Sequence, residues 1–159
     1  TRRSSDLECE RHDHRDLQTV VRICLATGAR WSEAESLKKS QLTKYKITYT
    51  NTKSKKNRTV PISKELYHSL PDDRKGRLFG DCYGVFRSAF ERTRIELPAG
   101  QLTHVLRHTF ASHFMMKGGN ILVLQRILGH SNIKMTMRYA HFSPDHLDDA
   151  VRLNPLNFN

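Results

Sequence analysis

Residues 103–130 read THVLRHTFASHFMMKGGNILVLQRILGH, and two helices are written into them. Leu106, Phe110 and Phe114 recur at helical spacing and line one apolar face, while His104, Arg107 and His108 at i, i+3 and i+4 fall opposite. That predicts a helix over 103–117. Ile121, Leu124 and Leu128 anchor a second over 120–128, which Gly129 stops, and His130 sits in the turn toward a third over 132–140 that carries Tyr139.

Upstream, Leu17, Val20, Val21 and Cys24 form a buried stripe of a helix that Gly28 ends in the left-handed conformation. Ser32 with Glu35 makes a capping-box pattern, so a helix restarts and runs to about Lys39, which places Arg30 at a helix–helix junction. Tyr45, Ile47 and Tyr49 alternate with Lys46, Thr48 and Thr50, and residues 58–62 are a second extended run closed by Pro61. Together they read as a hairpin with Lys53, Lys55 and Lys56 at its tip, and a short strand near Gln41 to Thr43 makes the sheet three-stranded. Further helices are predicted over 63–70, 83–95 and 144–153, the last with Ser143 as N-cap and Pro144 in its first turn. The fold class is α+β, mostly helical, with a small antiparallel β-sheet packed on a helical bundle. Trp31, Phe110, Phe114, Met115, Met116 and Met135 are expected in or near the core.

A chain of 159 residues with 37% hydrophobic residues suits one compact domain, and nothing in it is repetitive or of low complexity. Residues 1–16 are expected to be a poorly ordered N-terminal segment or linker, 17–153 the folded domain and 154–159 a C-terminal tail. Cys9, Cys24 and Cys82 are odd in number and widely spaced, which suits free thiols in a reducing cytoplasm better than a disulfide framework. No apolar run approaches the roughly 18 residues of a membrane span, so no membrane is expected as partner. Twenty-seven Lys and Arg against 16 Asp and Glu leave a net charge of +11, which favours a phosphate polymer as partner without naming a chemistry.

The chemistry lies in spacing. A guanidinium offers a planar fork of donors to phosphate oxygens, and a neighbouring imidazole exchanges a proton near neutral pH. A lone His-x-x-Arg is usually only a solvated basic face; a His after Gly is usually a helix-end donor, and a helical Tyr usually packs in a core. Here they occur together and in order. Thr27-Gly-Ala-Arg-Trp-Ser-Glu33, the lysine-tipped hairpin running into Val60-Pro-Ile62, His104-Val-Leu-Arg-His-Thr109, Leu128-Gly-His130 and Arg138-Tyr-Ala-His141 resemble the tyrosine recombinase, or phage integrase, family from about Leu17 to His141. The wording is similar to that of integrases of temperate enterobacterial phages.

The resemblance implies the catalytic-domain fold of that family and cleavage and rejoining of DNA strands through a 3′-phosphotyrosine in prophage integration and excision. It implies Tyr139 as nucleophile, Arg30 and Arg107 as phosphate clamps, His104 and His130 as further site members and Lys53 as general acid, with Lys55 and Lys56 not separable from Lys53 by sequence. Lys38, Lys39, Lys55, Lys56 and Arg58 are expected to track phosphates. No cofactor and no metal are expected, since Arg107 beside the His104 and His108 pair repels a cation and the Glu of a zinc helix is missing. Implied partners are double-stranded DNA attachment sites, further copies of the chain as a tetramer in the synapse with exchange of the C-terminal tail, a host DNA-bending protein and a phage excision or directionality factor. The sequence departs from the family where an acidic residue often follows the first His; Val105 stands there. The alternatives are a noncatalytic DNA-binding protein, which would bind without cutting, a nuclease that would release free ends without Tyr139, and type IB topoisomerase-like strand relaxation.

Overall fold

The first helix is long because the apolar stripe from Leu17 to Cys24 anchors an extension, turn by turn, into the polar segment before it. In the structure, a computed structural model that describes residues 4–50, 57–93, 95–145, 147–153 and 155–156, with side chains from residue 15 onward, α1 spans Ser4–Thr27. It begins well ahead of the stripe at Leu17, where a loose segment was expected; a charged stretch without apolar periodicity carries no helix signal of its own and is propagated from the buried half. Val20, Ile23, Cys24 and Thr27 are buried, and Gly28 ends the helix at φ 64°. A Cβ there would lie 2.6 Å from Phe110 Cδ1 and 2.7 Å from Leu128 Cδ2, so both the backbone and the packing require glycine.

Helix α2 (Trp31–Glu35) follows at once, but its cap is not the expected one. Arg30 is the N-cap residue, and its backbone N–H donates to Glu33 Oε2 at 2.9 Å. Glu35, expected to pair with Ser32, instead accepts from the backbone N–H groups of Cys82 and Tyr83 at 2.9 and 3.0 Å, tying α2 to the start of the fourth helix. A carboxylate one turn on had a stronger claim from two backbone donors than from one cap.

A 3-10 turn (Lys39–Gln41) leads into the antiparallel sheet β1 (Leu42–Thr43), β2 (Lys46–Tyr49) and β3 (Arg58–Pro61), in that spatial order. Ile47 faces Val60, and both are buried with Tyr49 on the inner face. The hairpin tip with Lys53, Lys55 and Lys56 lies outside the described residues. Helix α3 (Lys64–His68) is capped by Ser63, whose hydroxyl accepts from Leu66 N–H, and α4 spans Tyr83–Arg92. Trp31 stacks on Phe86 at 4.3 Å and meets Tyr83 edge-on, which places it in the core as expected.

Helices α5 (Val105–Met116) and α6 (Ile121–Leu128) follow the predicted pair closely, the second capped by Asn120, whose side chain accepts from Leu122 and Val123 N–H. Ala111, Met115, Leu124, Leu128 and Tyr139 form a second core cluster between them. Met116 and Met135, expected near the core, are about half exposed at 49% and 48%. The single helix predicted over 132–140 is instead α7 (Lys134–Met137) and a 3-10 turn (Ala140–Phe142), with Tyr139 between them as the turn's N-cap residue. The tail helix is shorter than predicted: α8 covers only Asp149–Arg152, with Asp148 at its N-cap position and no side-chain cap bond, and Ser143 is extended chain well before it rather than its cap. Leu147, Val151 and Leu153 are exposed, so the apolar face that suggested a longer helix gains little from burial.

Candidate active site

Two helix ends and one guanidinium build the centre of the site. The last carbonyls of α1 and α6 carry the negative ends of their helix dipoles, and both converge on α5. Arg107, only 4% exposed, donates from Nη1 to Gly28 O at 2.7 Å and from Nη2 to Leu128 O at 2.6 Å. Burial, then the charges of Arg30 and Arg58, hold its pKa down to about 10, still cationic at neutral pH. Two of the five guanidinium donors thus fix its plane, and a fixed plane is what phosphate recognition needs.

Glu33 does the same for Arg30. Its carboxylate accepts from Arg30 N–H and from Arg30 Nη1 at 3.0 Å, and on the other side from Arg58 Nη1 and Nη2 at 3.1 and 2.6 Å. Burial alone would raise its pKa, but the hydrogen bonds and charge of Arg58, with those of Arg30, outweigh it and lower it to about 2. Arg58 is therefore not the surface phosphate contact that was expected. It is buried, stacks over Tyr49 at 4.6 Å, donates from Nε to Ile127 O at 2.8 Å and fastens the sheet to α2 and α6. Gly129, at φ 66°, leaves room for it, since a Cβ there would come within 3.0 Å of Arg58 Cδ.

Around Arg107 opens a pocket of about 460 Å³ lined by Arg30, Gln101, His104, Arg107, His108, His130, Lys134, Met135, Arg138 and Tyr139. Five of the six residues that the sequence nominated for chemistry meet here: Arg30, His104, Arg107, His130 and Tyr139. The sixth, Lys53, lies outside the described residues, as do Lys55 and Lys56. Lys38 and Lys39 are not among the lining residues; Lys38 is exposed, and Lys39 Nζ is engaged by the Asp72 carboxylate.

His130 is turned by a 2.9 Å hydrogen bond between its Nδ1 and the hydroxyl of buried Thr136. Burial, then Arg107 and its fellow cations, lower its pKa to about 4, so it is a neutral imidazole at pH 7. Tyr139 is 5% exposed, and its hydroxyl lies 2.6 Å from His108 Nδ1. Burial raises its pKa, against the lowering charges of Arg138 and Arg107, so the phenol is protonated near neutrality. The arrangement offers fixed cations that suit an anionic centre, imidazoles for hydrogen bonding and proton exchange, and the hydroxyl of Tyr139 among them.

Sequence reasoning left Gln101, Lys134 and Arg138 out of the site, and it kept His108 as part of a cationic face and Glu33 as part of a motif. His108 was legible as the i+4 neighbour of His104, and Arg138 adjoins Tyr139. Gln101 lies in a loop with no periodicity to mark it.

Residues 7–146 match the model of the phage integrase family. The chain is 87% identical over 149 residues to the integrase of Escherichia phage 186 and 70% identical over 150 residues to the integrase of Haemophilus phage HP1, covering 94% of itself and 44% of each relative. It thus spans less than half the length of these curated relatives. Among solved structures it superposes on the catalytic domain of bacteriophage HP1 integrase with a TM-score of 0.85 at 72% identity, over 89% of this chain and 83% of that one. It also superposes on the Tn1549 transposon integrase in complex with transposon right end DNA with a TM-score of 0.60 at 25% identity, over 85% of this chain and 56% of that one. The ordered motifs, the pocket that gathers them and these likenesses agree: the chain belongs to the phage integrase family, in the part that corresponds to its catalytic domain.

Proposed function

We propose that the chain is the strand-transfer unit of a site-specific DNA recombinase, acting through Tyr139. The observation that carries this reading is that Arg30, His104, Arg107, His130 and Tyr139, from four separate segments of sequence, line one pocket. The Tyr139 oxygen attacks a backbone phosphorus, Arg30 and Arg107 hold the nonbridging oxygens on which negative charge grows, and His104 and His130 donate to the same group. The bond to the 5′ oxygen breaks, and Lys53 supplies its proton. The product is a 3′-phosphotyrosine and a 5′ hydroxyl. A 5′ hydroxyl from another strand then attacks the phosphotyrosine, so strands are exchanged with no nucleotide consumed.

The substrate is double-stranded DNA. The +11 charge favours it, and the Tn1549 integrase, with the same fold, is seen with transposon DNA. Lys38, Lys55 and Lys56 track phosphates around the cut. Residues 17–153 form the catalytic unit, 1–16 its lead-in and 154–159 its tail. Integration and excision of a prophage in the bacterial cytoplasm, a tetrameric synapse with tail exchange, a host DNA-bending protein and a phage directionality factor belong to the same reading. The test is incubation with a nicked duplex that traps cleavage, followed by denaturing electrophoresis. A covalent protein–DNA band with wild type that is lost in Tyr139→Phe is the expected result; equal cutting by both proteins overturns the reading.

A further inference from the structure

We propose that His108 is the base that takes the Tyr139 phenolic proton when the tyrosine attacks. This rests on the reading of Tyr139 as nucleophile and goes beyond it, because that reading assigns the other residues to the phosphate and the leaving oxygen and none to the phenolic proton. His108 Nδ1 lies 2.6 Å from the Tyr139 hydroxyl, within the range of a strong O–H donor to a nitrogen lone pair, with the rings 5.8 Å apart at 46°. On the other side of the imidazole, Nε2 faces Gln101 Oε1 at 3.3 Å. A carbonyl oxygen only accepts, so the Nε2 carries the proton, and Nδ1 is left with its lone pair toward the phenol. Gln101 thus sets the tautomer that a base requires.

The surroundings keep that nitrogen open. Burial, then the charges of Arg138, His104 and Arg107, lower the His108 pKa, and the other pocket cations, Arg30 and Lys134, with His130, add no anion to reverse this. His130 is a poorer candidate because its Nδ1 is engaged with Thr136. The two residues also stand on elements that pack together: His108 is in the first turn of α5, and Tyr139 begins the 3-10 turn that packs on that helix.

The step balances. The Tyr139 O–H bond breaks and its proton forms an N–H bond at His108 Nδ1, giving an imidazolium. The phenol oxygen's electron pair forms the O–P bond while the P–O5′ bond breaks, and the leaving oxygen takes a proton from Lys53. On rejoining, the incoming 5′ hydroxyl returns a proton to Lys53, and the departing tyrosine oxygen recovers its own from His108.

The test uses the chain with two nicked duplexes, one with an ordinary phosphodiester at the cut and one with a sulfur in place of the bridging 5′ oxygen, whose thiolate leaves without a proton. His108→Asn keeps an acceptor oxygen near the Nδ1 position but is not a base. Adduct formation should fall about 10²-fold or more in this variant. The loss should persist on the sulfur substrate and shrink about tenfold per pH unit as alkali ionises the phenol directly. A rate equal to wild type, a deficit independent of pH, or full rescue by the sulfur leaving group overturns the proposal, the last by moving His108 to the leaving-group side. Should the variant not fold, ¹⁵N NMR of the wild-type imidazole decides: a proton on Nε2 supports the assignment and a proton on Nδ1 overturns it. Failure of the underlying reading looks different, since wild type then gives no adduct or Tyr139→Phe cuts equally.

Discussion

Glu33 shows how one carboxylate can hold a cationic site together. It sits between Arg30 and Arg58, and its removal leaves Arg58 buried without its partner, so Glu33→Ala should cost about 3–5 kcal/mol in urea unfolding. Its folded pKa of about 2 lies below the ordinary value of 4.5, so its contribution is complete above pH 4.5 and disappears as pH falls toward 2. The span corresponds to about 3 kcal/mol. Urea midpoints measured from pH 6 to pH 2 should therefore fall steeply in wild type and less in Glu33→Gln. Arg107 has two tasks, pinning the carbonyls of Gly28 and Leu128 and facing the pocket, and Lys cannot fork to both. Arg107→Lys should lose about 10²–10³-fold in cleavage, measured as adduct yield per time, with duplex binding within a few-fold of wild type. Equal losses in both would assign Arg107 to docking. At this scale the arginines that line the pocket, Arg30 and Arg107, were legible in the sequence, but their supports were not. Arg58 read as one more surface cation because nothing local shows that Glu33, 25 residues away, neutralises it.

The elements that were legible are those whose burial is written in their own periodicity. Helices α5 and α6 carry their apolar stripes and stops in one stretch, and β2 and β3 alternate cleanly. Where partners come from afar, the pattern misled. Glu35 looked like a cap for α2 until Cys82 and Tyr83 offered two backbone donors, and the amphipathic end of the chain looked like a full helix although Leu147, Val151 and Leu153 are 68–78% exposed. Two predictions follow the same division. Gly28→Ala meets both a left-handed φ and contacts of 2.6 and 2.7 Å, so it should destabilise by about 1–3 kcal/mol, read from the thermal midpoint. Replacement of exposed Leu147 and Leu153 by Ser should leave that midpoint within about 1 °C, because surface changes away from packed features seldom exceed ~0.5 kcal/mol.

Over the whole molecule, the fold is a means of bringing dispersed segments to one pocket around Arg107. The sheet closes on α2 and α6 through Arg58, α1 and α6 end on Arg107, and α5 presents His104 and His108 toward the turn that holds Tyr139. The chain as a whole carries a surplus of eleven positive charges. Binding to a duplex of unrelated sequence should weaken about 10³-fold between 50 and 200 mM salt for roughly six phosphate contacts, and a flat salt dependence in fluorescence anisotropy would argue against a phosphate-tracking surface. In the proposed reaction the Tyr139 oxygen becomes bonded to phosphorus. That bond is tested most directly by trapping the chain on a nicked duplex, digesting with nuclease and trypsin, and locating the nucleotide by mass spectrometry. A nucleotide on the peptide that begins after Arg138, attached to Tyr139, is the predicted result, and a nucleotide on any other residue would contradict the account.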